Sequence, residues 1–168
     1  MKFRRVTTGH NAHGKGVIAS DTAIEGLVAP GMGTIWRMWS ADEPMQYPGD
    51  GRDPAAAAVY PALNGFRFHA FEMPPAAAMI APEDRSIDPT GVSAVFEDHG
   101  DGMHQTDTTD LLVLMSGTVR LELDDGLCTT LEAGSFIIQN GTRHKWTNIG
   151  DTPALFAAVT IGARRRAE

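Results

Sequence analysis

His104, Thr106 and Asp110 occupy alternate positions in GMHQTDTTDLLVLMSG (102–117), and His144, Trp146 and Asn148 repeat that spacing in HKWTN. In an extended chain, alternate residues share one face. Each trio therefore presents its side chains to the same side. A β-barrel that faces both strands inward would bring two imidazoles and a carboxylate together. Two histidines and one carboxylate are the facial donor set of non-haem Fe(II) sites, with positions left open for substrate. Zinc accepts the same three ligands plus water. Without a metal, His104 or His144 can act as general base while Asp110 orients the imidazole. In the bland alternative these groups only satisfy one another and nearby backbone, as buried polar groups must.

The elements that would position these residues are strands. Glycine and proline punctuate short alternating runs throughout, the pattern of an all-β sandwich or barrel. FRRVTT, a turn at AHGKG and GVIAS read as an N-terminal hairpin. TIWRMWS, FRFHAFEM and VSAVFED (92–98) follow as strands, and VYPAL as a helical turn near residue 60. DLLVLMSG, VRLELDDG, LCTTLEAGSFIIQ, HKWTN and PALFAAVTIG then complete the set, with hairpin signals at Asp125-Gly126 and Asn140-Gly141. Two segments, 41–65 and 74–91, are rich in Pro, Ala, Gly and Asp. They read as ordered covering loops, because Met45, Tyr47, Tyr60, Leu63, Met79 and Ile80 need burial.

The spacing of the polar residues resembles the two motifs of the cupin superfamily. The first motif, His-x-His-(three)-Glu-(six)-Gly, is matched by His104-x-Thr106-(three)-Asp110-(six)-Gly117. The second, Gly-(five)-Pro-x-Gly-x-x-His-(three)-Asn, is matched by Gly134-(four)-Gln139-x-Gly141-x-x-His144-(three)-Asn148. The resemblance covers about 102–161, takes the small single-domain bacterial form (HxTxTxDx6G), and implies one domain over 1–168. Its implied fold is the double-stranded β-helix, a jelly-roll barrel with the site inside, here with an N-terminal hairpin extension and N-terminal strands within 1–72. Thr106 stands where the family has its second histidine, Asp110 where it has glutamate, and Gln139 where it has proline. The ligand set implied is thus His104, Asp110 and His144, for a divalent metal (Zn, Fe, Mn or Ni), with a metal-free pocket as the alternative. Thr106, His69, Phe68, Trp146 and Leu112 are the expected pocket lining.

The functional expectation is a small-molecule enzyme of lyase, isomerase or dehydratase type acting on a hydroxy- or oxo-carbonyl compound. A non-catalytic binding cupin and an Fe(II) dioxygenase are the alternatives. A net charge of −7 leaves no electrostatic footprint for nucleic acid. No apolar run approaches the length of a membrane span. A single cysteine, Cys128, and no signal-peptide pattern fit a cytoplasmic setting. Arg164, Arg165 and Arg166 read as a frayed, solvated tail. The resemblance also implies a homodimer.

Overall fold

The computed structural model describes residues 1–29, 33–54, 59–79 and 101–166. Eleven strands carry the described chain. They are β1 (Phe3–His10), β2 (Gly16–Ile24), β3 (Leu27–Ala29), β4 (Gly33–Ala41), β5 (Phe66–Met73), β6 (Thr108–Ser116), β7 (Thr118–Leu123), β8 (Cys128–Glu132), β9 (Phe136–Gln139), β10 (His144–Asn148) and β11 (Ala154–Gly162). The strand expected at 92–98, His99 and most of 74–91 lie outside the described residues. The short β3 has no counterpart in the sequence reading, and the stretch near residue 60 forms bends rather than a helical turn.

Two antiparallel sheets enclose the main core. One runs β3-β4-β5-β11-β6-β9 and the other β10-β7-β8. Residue His104 adds a further pairing, an antiparallel bridge to His144 at the free side of β10. Take β5, the His104 segment and β6 to β11 as eight successive barrel strands. The first, eighth, third and sixth then share one sheet, and the second, seventh, fourth and fifth share the other. That is the double Greek key of a jelly roll.

Chain crossings between the sheets are tight. Gly117 alone separates β6 from β7, with φ of 90°, and a Cβ there would sit 2.7 Å from the Ala154 backbone. Only glycine meets both conditions without strain. The inward residues of β6 are the even ones. Leu112 and Leu114 pack with Val119, Leu121, Ile137, Ala154, Phe156 and Ala158, as the alternation predicts. Phe71 stacks on Phe156 with centroids 4.5 Å apart, and Trp146 meets Phe156 edge-on at 5.6 Å.

A second, smaller core lies outside the larger sheet, where the β1–β2 hairpin covers β4 and β5. Trp36, Met38 and Ala70 are buried there against Phe3, Ile24 and Leu155. Phe3 meets the Trp36 ring edge-on at 5.2 Å, and the indole N–H donates to the Met1 carbonyl at 3.1 Å. Trp39 points elsewhere and carries the Arg5 guanidinium 5.6 Å above its ring. The stretch 42–54 is ordered against this hairpin. His10 N–H donates to the Gly49 carbonyl at 2.7 Å, and Arg5 pairs with Asp53 at 2.6 Å. The stretch 59–65 docks on the end of β11. There Asn64 N–H reaches the Gly162 carbonyl and Gly162 N–H the Gly65 carbonyl. Arg67 fastens the same corner from within, bonding Asp42 at 2.7 Å and the carbonyls of Phe66 and Tyr60.

Candidate functional site

His144 opens β10 and His104 lies on the paired segment beside it. Their backbones exchange two hydrogen bonds, at 2.9 and 2.8 Å. That reciprocal pairing fixes both side chains at the same level, and the rings stand 4.4 Å apart at 53°. The His144 Nδ1 lies 2.7 Å from the Thr142 carbonyl oxygen. A carbonyl only accepts, so Nδ1 carries the hydrogen and Nε2 keeps its lone pair. His104 Nδ1 makes a longer contact, 3.5 Å, to the Gly102 carbonyl. Burial, then the neighbouring His144, lowers the His104 pKa to about 4. Burial likewise lowers that of His144, against the pull of the Thr142 carbonyl. Both imidazoles are therefore neutral at pH 7.

Asp110 lies on β6, in register with Thr160 of β11 and Gln139 of β9. The hydroxyls of Thr108 and Thr160 lie beside its carboxyl group and favour its charged form, while Oδ1 is buried with no hydrogen-bond partner. Desolvation outweighs the two hydroxyls and raises the Asp110 pKa above the ordinary carboxylate value. An orphaned, desolvated carboxyl oxygen favours the protonated acid, because a proton removes most of the burial cost. Thr106 is buried one step away and shares a 2.7 Å hydroxyl contact with Thr108.

The expected residues are placed differently in three respects. Among the described residues no three His, Cys, Asp or Glu side chains gather where one ion could be held. His104 and His144 meet, while Asp110 lies on β6 beside Thr108 and Thr160. Phe68 is not a pocket wall. It lies on the face of β5 opposite His69 and is 42% exposed, because the strand's odd residues, not its even ones, look into the barrel. The terminal arginines are not all frayed. Arg165 pairs with Asp107 at 2.7 Å and donates to the carbonyls of Thr106 and Gly141. It thereby ties the chain end to the loops that carry both motifs.

Trp146 stands 5.9 Å from the His144 ring, edge-on. Leu112 is buried beneath Asp110 in the row of Ala158 and Ile137. His69 faces the same side from β5, 5.9 Å from Phe71 and cross-strand from Arg37 and Ala158. Burial lowers its pKa to about 4. Asn148, by contrast, is structural: its amide donates to the Met73 and Thr152 carbonyls and its oxygen accepts from Gly150. Thr160, Thr142 and Gln139 emerge as site residues only in the fold. Thr160 was legible as the one hydroxyl in the apolar run ALFAAVTIG, and Gln139 as the residue in place of the motif proline. Gln139 holds Thr142 through its side-chain amide, and so supports the carbonyl that orients His144.

No protein-family model matches the chain. Two curated proteins of Diaporthe leptostromiformis, phomopsin biosynthesis cluster proteins C′ and D, are each 38% identical over 50 residues. The match takes in 30% of this chain and spans about a quarter (26%) of each relative's length. Among solved structures, the polyketide cyclase RemF from Streptomyces resistomycificus is similar at 17% identity, with TM-score 0.48 over 85% of this chain and 77% of that one. A cupin 2 conserved barrel protein from Salinispora arenicola gives 17% identity and TM-score 0.46 over 82% of both chains. An RmlC-like cupin from Methanocaldococcus jannaschii gives 13% and 0.40 over 58% and 70%. The fold itself rests on the chain's own strand order. With two interleaved antiparallel sheets, and the two histidines of the paired motifs facing each other across adjacent strands, the chain has the cupin fold, a double-stranded β-helix.

Proposed function

We propose that the chain is a small-molecule cupin enzyme that moves protons on a hydroxy- or oxo-carbonyl compound, in lyase, isomerase or dehydratase chemistry. The observation that carries this reading is His144. Its Nδ1–H is spent on the Thr142 carbonyl, and its Nε2 is a neutral base beside a second neutral imidazole. In the step envisaged, Nε2 takes the proton on the carbon next to the carbonyl, and the C–H electron pair moves into an enol. Asp110, whose pKa burial raises, is the acid of the step: it gives a proton to the carbonyl oxygen, or to a β-hydroxyl that leaves as water, and takes the oxygen-bound proton back when the carbonyl re-forms. Return of the proton to a different carbon gives isomerisation; loss of water gives dehydration. His104 restricts the His144 ring, and Trp146 supplies an apolar wall.

No step is routed through a metal, because the donor set among the described residues is two imidazoles without a third ligand. The Fe(II) dioxygenase alternative needs that third ligand. A non-catalytic binding cupin is the second reading, and Thr106 in place of a ligating histidine is the observation that favours it.

The test is proton exchange in D2O, followed by 1H NMR, over a panel of 2-hydroxy- and 2-oxo-carbonyl compounds. Exchange next to the carbonyl that falls on the order of 100-fold or more in His144→Ala supports the enzyme. Binding without exchange supports the binding module. Near-stoichiometric metal in chelator-free protein, lost in His104→Ala or His144→Ala, would overturn the metal-free site.

A further inference from the structure

His69 is a neutral imidazole on the inner face of β5 that the proton transfer leaves unused. Trp36 and Met38 of β4 are buried on the hairpin side of the sheet. Arg37, between them, therefore lies on the opposite, barrel side. Arg37 and His69 are direct cross-strand partners, and such neighbours carry their Cβ atoms about 5 Å apart. Burial lowers the His69 pKa, the Arg67 backbone opposes it, and the guanidinium charge of Arg37 lowers it further. His69 is half-buried and Arg37 exposed, so an anion that enters past the guanidinium ends at the imidazole.

Arg67, on the same face of β5, makes the contrast. Its guanidinium is buried and held by Asp42 at 2.7 Å and by the Phe66 and Tyr60 carbonyls, which commits it to the fold. The guanidinium of Arg37 is a planar fork of N–H donors with room for more than one acceptor, so it can grip a carboxylate alongside a neighbour from the chain. The Arg37–His69 pair shares the interior of the two site histidines. Ring contacts run unbroken from His69 to Phe71 at 5.9 Å, then through Phe156 and Trp146 to His144. Trp146 of β10 meets Phe156 of β11 across the barrel, and β5 pairs with β11. The backbone at His69 is thus about 5 Å aside and about 10 Å across from β10. Both imidazoles reach into that gap, and a molecule of a few carbons spans the remainder.

We propose that Arg37 and His69 form a carboxylate subsite, so that the substrates are small 2-hydroxy- or 2-oxo-carboxylic acids rather than their neutral amides, esters or ketones. The guanidinium holds the carboxylate through parallel N–H donors, and the neutral imidazole adds one more N–H. The 2-oxygen is then left to Asp110 and the neighbouring C–H to His144. That orientation rests on the proton-transfer reading, whereas the preference for an anion rests on the β4–β5 pair alone. The test compares 2-oxobutanoate and 2-hydroxybutanoate with their amides, in wild type, Arg37→Met, Arg37→Lys and His69→Asn. Ligand-observed NMR reads affinity and exchange in D2O reads turnover. Wild type should bind each acid on the order of 100-fold more tightly than its amide. Arg37→Met should abolish that preference, raising KM for the acids far more than it lowers kcat. Arg37→Lys should restore part of the preference, and His69→Asn should lose on the order of 10-fold. The amide affinity and the far-UV spectrum control for folding. Equal affinity for acid and amide in the wild type overturns the proposal. So does wild type that binds neither acid, or a loss in Arg37→Met that is the same for acid and amide. Acid binding that depends on Arg37 but comes without exchange leaves the subsite standing and sinks the proton-transfer reading. Exchange that is equal on acid and amide does the reverse.

Discussion

The protonation of each of the three polar side chains is biased by its own surroundings. His144 is fixed as the Nδ1–H tautomer by the Thr142 carbonyl, His104 is kept neutral by burial beside it, and Asp110 is driven toward the acid by its orphaned oxygen. Asp110→Asn separates function from structure. The amide keeps the shape and removes a desolvated carboxyl group, so stability to urea at pH 7 should change by less than about 1 kcal/mol, or rise. Proton exchange should fall steeply. A loss of stability beyond about 2 kcal/mol would instead mark the carboxyl as a structural acceptor. The base is active when neutral, and its pKa is depressed. Exchange should therefore persist below pH 6.5, where an ordinary imidazole is protonated, and decline only at more acid pH. A pH–rate profile reads this directly.

The elements divide into a barrel that carries the chemistry and a hairpin that seals its outer side. The hairpin rests on Trp36, which fills the space between β1 and the larger sheet. Trp36→Ala should cost about 3–5 kcal/mol in denaturant unfolding, and limited proteolysis should then cut first in 1–24. At the other critical junction, Gly117 turns the chain from one sheet to the other at positive φ against Ala154. Gly117→Ala should destabilise by more than about 1 kcal/mol, and the same method checks it. The motif glycine is thus required by backbone geometry, not by the site.

For the whole molecule, the buried histidines tie stability to pH. His69 and His104 have folded pKa values of about 4, and that of His144 is also lowered. Their unfolded values lie near 6.5. Between those limits the unfolded chain binds more protons than the folded one, so unfolding becomes easier as pH falls. The contribution is fully present above about pH 6.5 and is lost progressively toward pH 4. Asp110 acts in the opposite sense, its raised pKa adding stability at low pH that is lost as pH rises. The large shifts are those of His69 and His104, so the urea midpoint should drop between pH 7 and pH 4. Replacing His69 with Phe should flatten that drop.

Local sequence determined the strands, because alternation needs only neighbours to be read. The hairpin, the inward even face of β6 and the shared face of His144, Trp146 and Asn148 were all legible from parity. The motifs told which strands must meet. Parity leaves the sign of a face open, and nothing local tells whether Phe68 or His69 turns inward. Only the tertiary structure decided that the odd side of β5 looks into the barrel, that Arg165 returns to the motif loops, and that Asp110 turns to Thr108 and Thr160. These depend on contacts between residues dozens of positions apart, whose geometry is set by how two sheets close on one core. The sequence brought His104 and His144 together through their motifs; the closed barrel decided that the pair meets without Asp110.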